Sequence, residues 1–126
     1  MGKFQLQNES AWSNMDWGTQ TAVSSPEIGA DKLMIFDVII YPGKGHSFHL
    51  HPRQEEVIYV LEGNIEQWIG NQQRTLKPGD SAFIAMGEVH ASFNPGQSNV
   101  RIMAILSPCI GELGYELEEA DDPRDR

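Results

Sequence analysis

Between residues 33 and 106 the chain alternates short apolar bursts with turn signals. The bursts, at 33–41, 46–51, 56–61, 65–69, 81–85, 90–93 and 100–106, are rich in β-branched and aromatic residues. Pro42-Gly43, Gly63-Asn64, Gly70-Asn71, Pro78-Gly79 and Pro95-Gly96 punctuate them. Such runs read as strands bounded by turns. No sustained 3.6-residue apolar repeat crosses this region. Many short strands at regular spacing predict an all-β sandwich or barrel. No stretch repeats another, so one barrel is expected over residues 33–108.

The two ends are patterned differently. Residues 1–32 carry little alternation apart from Trp12, Trp17 and a turn cluster, SSPEIG, at 24–29; this segment is expected to pack on the barrel or on a partner. Residues 109–126 form an acidic tail, and its ELEEADDPRDR stretch predicts a solvated, poorly ordered end. The run LMIFDVIIY at 33–41 is apolar on both faces except for Asp37. An antiparallel strand with one solvated face should alternate apolar with polar. The second face is therefore covered, either by the N-terminal segment or by a second copy of the chain, and a homodimer is the expectation.

Composition narrows the function classes. A chain of 126 residues is long enough to bury a core as one domain. Its net charge of −9 argues against nucleic acid, which needs an electropositive surface. No apolar run of about 18 residues and no signal-peptide layout is found, so no membrane partner is expected and the cytoplasm is the expected compartment. One cysteine, Cys109, excludes an internal disulfide framework and is read as a bystander.

The histidines change the picture. His49 and His51 are two apart, which on a strand sends both imidazoles to one face. With Glu56 and His90 they offer three neutral nitrogen ligands and one carboxylate. That mixed set suits a divalent transition metal (iron, manganese, zinc, nickel or copper) better than calcium, which takes oxygen shells. Four protein ligands leave positions free for a substrate or water, unlike a closed structural site. His46 has the opposite parity and is expected on the rim or outer surface. Ser47 shares the ligands' parity and is a candidate substrate contact. Gln67 is either a second such contact or a hydrogen-bonded interior amide. Phe48 and Trp68 read as packing residues. Ile58, Val60, Ile102 and either Phe83 or Ile84 are expected to line the site.

Two motifs carry these residues. The first runs from Gly43 over five residues to His49-x-His51, four residues to Glu56 and six to Gly63. The second runs from Gly79 over five residues to Ala85-x-Gly87, two residues to His90 and three to Asn94. Together they resemble the two motifs of the cupins, with Ala85 where that pattern has proline. The resemblance implies a double-stranded β-helix (jelly roll) and one divalent metal, iron, manganese, zinc or nickel, held by His49, His51, Glu56 and His90. It selects Glu56 over the adjacent Glu55, which is expected to face solvent. It also implies pairing of subunits through a sheet. The activity expected is that of a small metal-dependent enzyme, dioxygenase- or lyase-like, acting on a small oxygenated organic molecule. A non-catalytic ligand-binding or sensor protein is the alternative.

Overall fold

Strict period-2 burial marks Val100–Ser107, where Val100, Ile102, Ala104 and Leu106 are buried and the residues between them are half-exposed. This strand sits in the middle of one of two antiparallel sheets in the computed structural model, which describes residues 1–125. The strands are β1 (Ser13–Asn14), β2 (Gly18–Ser24), β3 (Met34–Ile40), β4 (Gly45–Leu50), β5 (Glu55–Glu62), β6 (Ile65–Ile69), β7 (Gln72–Leu76), β8 (Ser81–Ile84), β9 (His90–Phe93), β10 (Val100–Ser107) and β11 (Glu118–Glu119). One sheet has the order β1-β2-β3-β10-β5-β8 and the other β11-β4-β9-β6-β7. Their inner faces enclose a core of Met34, Val38, Ile40, Ile58, Val60 and Ile65 with the buried side of β10. Two antiparallel sheets interleaved in this order form the jelly roll. No described helix is long and apolar enough to cross a membrane.

Four strands lie outside the expected set, the first being the two-residue β1, which pairs with β2. In β2, Gly18 packs so close to β3 that a Cβ there would sit 2.0 Å from the Ile39 carbonyl oxygen. β2 pairs beside β3 from Gly18↔Ile40 to Ser24↔Ile35, extending the sheet laterally. β7 is polar and exposed along almost its whole length, so it has no apolar face to reveal it. Its partner finds it: Ile69 pairs with Gln72 across the two-residue turn Gly70-Asn71. β11 pairs Glu118 with Leu50 and Glu119 with His49.

That last pairing corrects the expectation of a solvated, poorly ordered tail. Tyr115 packs against the core and Leu117 lines the central cavity, while Glu118 and Glu119 point to solvent. The charged residues describe only the outer side of this segment. Further on, the Arg124 guanidinium lies 5.0–5.4 Å from the ring centroids of Phe48, Trp68 and Phe93, a cation–π position.

The ends of both motifs are structural. Asn94 is buried, donates from Nδ2 to the Ile40 and Ser98 carbonyls, and accepts at Oδ1 from the Gly96 amide. Gly63 has φ +77°, and a Cβ there would lie 2.5 Å from Val100 Cγ1. Gly43 has φ +73° with open space around it. Gly63→Ala combines left-handed backbone strain with overpacking and should cost about 2–4 kcal/mol. Gly43→Ala carries the backbone cost alone, about 1–2 kcal/mol. Urea unfolding of the two variants beside the parent protein measures both, and Gly63→Ala should have the lower midpoint.

Candidate metal centre

The site lies between the sheets, where β4, β5 and β9 turn polar side chains inward. Along β5, Glu55 is exposed while Glu56, Ile58 and Val60 are buried. β9 contributes His90, and β4 contributes His49, with His51 just beyond its end. The histidine ligand atoms lie within 4.8 Å of one another. Glu56 Oε1 is 2.8 Å from His90 Nε2 and 3.4 Å from His51 Nε2. All four side chains are buried.

Each imidazole is oriented from behind by a backbone carbonyl. His49 Nδ1 lies 2.6 Å from the Ser47 oxygen, His51 Nδ1 2.7 Å from that of Glu116, and His90 Nδ1 2.9 Å from that of Glu88. A carbonyl only accepts, so each Nδ1 carries the proton and each Nε2 presents a lone pair to the centre. This is the outer-shell arrangement of metal-binding histidines. A second sign points the same way. Glu56 Oε1 and His90 Nε2 are fully buried and close together, yet neither has a hydrogen-bond partner. Buried polar atoms left so are costly, and two lone-pair-bearing atoms 2.8 Å apart with no proton between them are placed as two ligands of one ion are placed. The residues present therefore fit a divalent metal.

The carbonyl behind His51 belongs to the C-terminal segment, and Gln54 holds that segment in place. Gln54 is 1% exposed. Its Nε2 donates to the Pro108 and Gly114 carbonyls, and its Oε1 accepts from the Glu116 amide. Arg53 adds a bidentate pair with the Glu116 carboxylate on the surface. Neither Gln54 nor Glu116 belongs to the ligand spacing, so sequence reasoning missed both. The one signal was a glutamine next to two glutamates on a strand about to enter the core.

Three expectations about nearby residues need correction, and one cause explains two of them. Between His46 and His49 the strand β4 advances three residues while β9 advances two, from Ser92 to His90. This is a β-bulge, which inserts one unpaired residue and reverses parity. His46 therefore faces inward and lines the cavity, not the rim or outer surface. Its ring stacks on His49 at 3.9 Å and on Trp17 at 4.7 Å. Ser47 is turned out: its side chain is exposed and outside the cavity lining, and only its carbonyl serves the site. Gln67 is a hydrogen-bonded interior amide. It accepts from Ser92 Oγ at 2.6 Å and lies one strand beyond the metal cavity. Of the expected apolar lining, Ile58 and Ile102 border the cavity, whereas Val60 and Ile84 belong to the deeper core and Phe83 is exposed.

The cavity in front of the four ligand residues has a volume of about 210 Å³. Its remaining walls are mostly apolar, with Trp17 from the N-terminal segment and Tyr115 and Leu117 from the C-terminal one. Burial, the largest influence, pushes the His46 and His49 imidazoles down to about 4 and about 3. Burial also acts against the Glu56 carboxylate, but His51 and His90 outweigh it and hold that group at about 2. His51 is raised: burial lowers it, and Glu56 with the Glu116 carbonyl overrides that.

These shifts set the acid behaviour of the metal-free protein. Below about pH 6.5 the unfolded chain protonates His46 and His49 while the folded chain resists, so stability falls as pH drops. Glu56 contributes stability above its ordinary value near 4.5 that is lost toward pH 2. His51 has the opposite sign: its contribution is complete below 6.5 and is lost as pH rises through its folded value. Below pH 6.5 the His51 contribution is constant, so the two depressed histidines alone give a fall from pH 6.5 toward 4. Urea midpoints of the metal-free protein should track it, and a His49→Gln variant should show a shallower slope.

The chain matches the family profile described as "Cupin domain" over residues 36–106. It is 24% identical over 106 residues to the tetracenomycin polyketide synthase protein TcmJ of Streptomyces glaucescens, covering 82% of this chain and 71% of that protein. It is 29% identical over 103 residues to the polyketide synthase CurC of Streptomyces cyaneus, covering 80% of this chain and 67% of the other. Among solved structures, the polyketide cyclase RemF from Streptomyces resistomycificus superposes with a TM-score of 0.79 at 20% identity, over 99% of this chain and 92% of that one. The family profile spans nearly all of β3 to β10, with the three-histidine cluster and Glu56 inside it, and the chain belongs to the cupin family.

Proposed function

We propose that the protein binds one divalent transition metal through His49, His51, Glu56 and His90 and acts on a small oxygenated organic molecule in the cavity beside it. The observation that carries this reading is the gathering of three histidine ligand atoms within 4.8 Å of one another, each ring fixed from behind by a carbonyl, with the buried Glu56 Oε1 2.8 Å from His90 Nε2 and 3.4 Å from His51 Nε2. A bound metal would supply a Lewis acid able to polarise a carbonyl or lower the pKa of a bound proton. The chain's own residues do the rest. The ligand residues come from the inner faces of the sheets and leave one side of the site open to the cavity. Apolar walls exclude water and seat a carbon skeleton. Relatives named as polyketide synthase proteins and a polyketide cyclase support a substrate bearing carbonyl oxygens and a reaction of lyase, isomerase or cyclase type. An oxygen-dependent reaction is the second reading, favoured by a nitrogen-rich ligand set that suits iron(II).

Metal analysis of protein purified without a histidine tag tests the centre. Stoichiometric metal is expected in the parent and in Glu55→Gln, and little in His90→Ala or Glu56→Ala. A His90→Ala variant with full metal content would overturn the assignment. Oxygen uptake by the iron-loaded protein in the presence of carbonyl compounds separates the two reaction classes.

We further propose that two copies pair through the outer face of the six-stranded sheet, with the dimer working in the cytoplasm. Ile35, Ile105, Val57 and Phe83 stand in register across four neighbouring strands on that face. Phe83 is 58% exposed. Phe36 instead borders the cavity and packs edge-on against Tyr115. Ile35→Lys should therefore shift the parent dimer to monomer in light scattering; a parent protein that is monomeric at micromolar concentration rules out this pairing.

A further inference from the structure

His46 is a cavity-facing imidazole that the metal centre leaves unused. The bulge in β4 brings it to the inner face, in register with Ser92 and beside His49. Trp17 and His49 sandwich its ring, with interplanar angles of 8° and 19°. A ring held between two others keeps one plane, so its nitrogens point along a fixed line. No described residue hydrogen-bonds to either nitrogen, although the half-buried ring lines the cavity. The His49, His51 and His90 rings each have an Nδ1 tied to a carbonyl, and Ser92 Oγ is engaged by Gln67. An imidazole that lines the cavity beside His49, with no protein partner for its N–H, is placed to meet something that enters the cavity. Gly45 adds to the precision of the bulge: a Cβ there would sit 2.1 Å from Phe93 Cδ1 and 2.7 Å from the Ser92 carbonyl oxygen. A side chain at 45 would push β4 off β9 at the point where His46 turns in.

We infer that His46 is the protein's own hydrogen-bond donor to the molecule bound at the metal, which makes it a specificity-determining residue. The cavity then offers two electrophilic points, the metal and the His46 N–H, within apolar walls. The ligand class that fits is a compact carbon skeleton with one oxygen for the metal and a second acceptor oxygen close by, as in an enolised β-dicarbonyl. Molecules with a single oxygen satisfy one point and leave the imidazole unpaired. This inference rests on the metal assignment made above.

The test uses full-length protein loaded with cobalt(II), whose absorption reports its coordination, and acetylacetone as the probe. In His46→Phe the ring stack is retained and the donor is lost. Metal content should stay at the parent level while acetylacetone binds roughly tenfold or more weakly, the usual loss for a hydrogen bond to a charged acceptor. His46→Asn, which restores an N–H, should recover part of that affinity. Equal affinity in the parent and His46→Phe overturns the role of His46 and leaves the open metal site standing. Loss of cobalt from His46→Phe also overturns it, since His46 would then be supporting the metal. A parent spectrum indifferent to acetylacetone removes the open site and this inference with it. Should His46→Phe fail to fold, the ring nitrogen resonances of His46 in zinc-loaded parent protein decide: they must shift on adding acetylacetone, and an unmoved signal refutes the contact.

Discussion

Burying three imidazoles and a carboxylate within a few ångströms of one another is the constraint around which this barrel is arranged. Each group taken from water loses hydration that must be replaced by a partner. The three Nδ1 atoms find theirs in the carbonyls of Ser47, Glu88 and Glu116. On the inner side, Glu56 Oε1 and His90 Nε2 find no hydrogen-bond partner in the protein. A structure that solves one half of the problem with backbone geometry and leaves the other half facing a common centre has the donor arrangement that fits an ion. Rigid outer partners also fix which nitrogen ligates and in what direction, which tunes a metal as much as ligand identity does.

The carbonyls come from different parts of the chain, and this ties the centre to the whole fold. Ser47 lies within the bulge of β4 and Glu88 in the turn before β9, while Glu116 arrives from the C-terminal segment through the buried Gln54. The segment that positions His51 also supplies Tyr115 and Leu117 to the cavity wall. At the other end of the chain, β2 adds a strand beside β3, and the turn preceding it places Trp17 on His46. The centre proper belongs to the strands shared with the rest of the family. Both flanking segments shape what can approach it. One barrel can host different chemistries when its lining changes and its ligands do not.

The bulge between His46 and His49 shows how a single inserted residue changes the lining of a cavity. Without it, His46 would stand on the solvent side of β4 and Ser47 in the cavity. With it, an imidazole replaces a hydroxyl beside the metal ligands, and a three-ring stack connects the N-terminal segment to the centre. Phe48 and His49, adjacent in sequence, are both buried because each faces a covered layer: His49 the cavity, and Phe48 the aromatic patch beneath Arg124.

The sequence by itself determined the strand-and-turn rhythm of residues 33–106, the all-β class and the convergence of His49, His51, Glu56 and His90. Local rules suffice there: turn residues end strands, and unbroken period-2 alternation sends Glu56, Ile58 and Val60 to one side and Glu55 to the other. Tertiary structure decided what depends on neighbouring strands. β7 is a strand because β6 pairs with it, since its own side chains are polar up to Leu76 at its end. The acidic tail is held because alternate residues, Tyr115 and Leu117, find an apolar wall, and because Gln54 offers three hydrogen bonds to backbone 54 to 62 residues away. The inward turn of His46 depends on a register mismatch between β4 and β9, which alternation along β4 alone does not contain. Parity along one strand is a local property, whereas a bulge is a property of a pair.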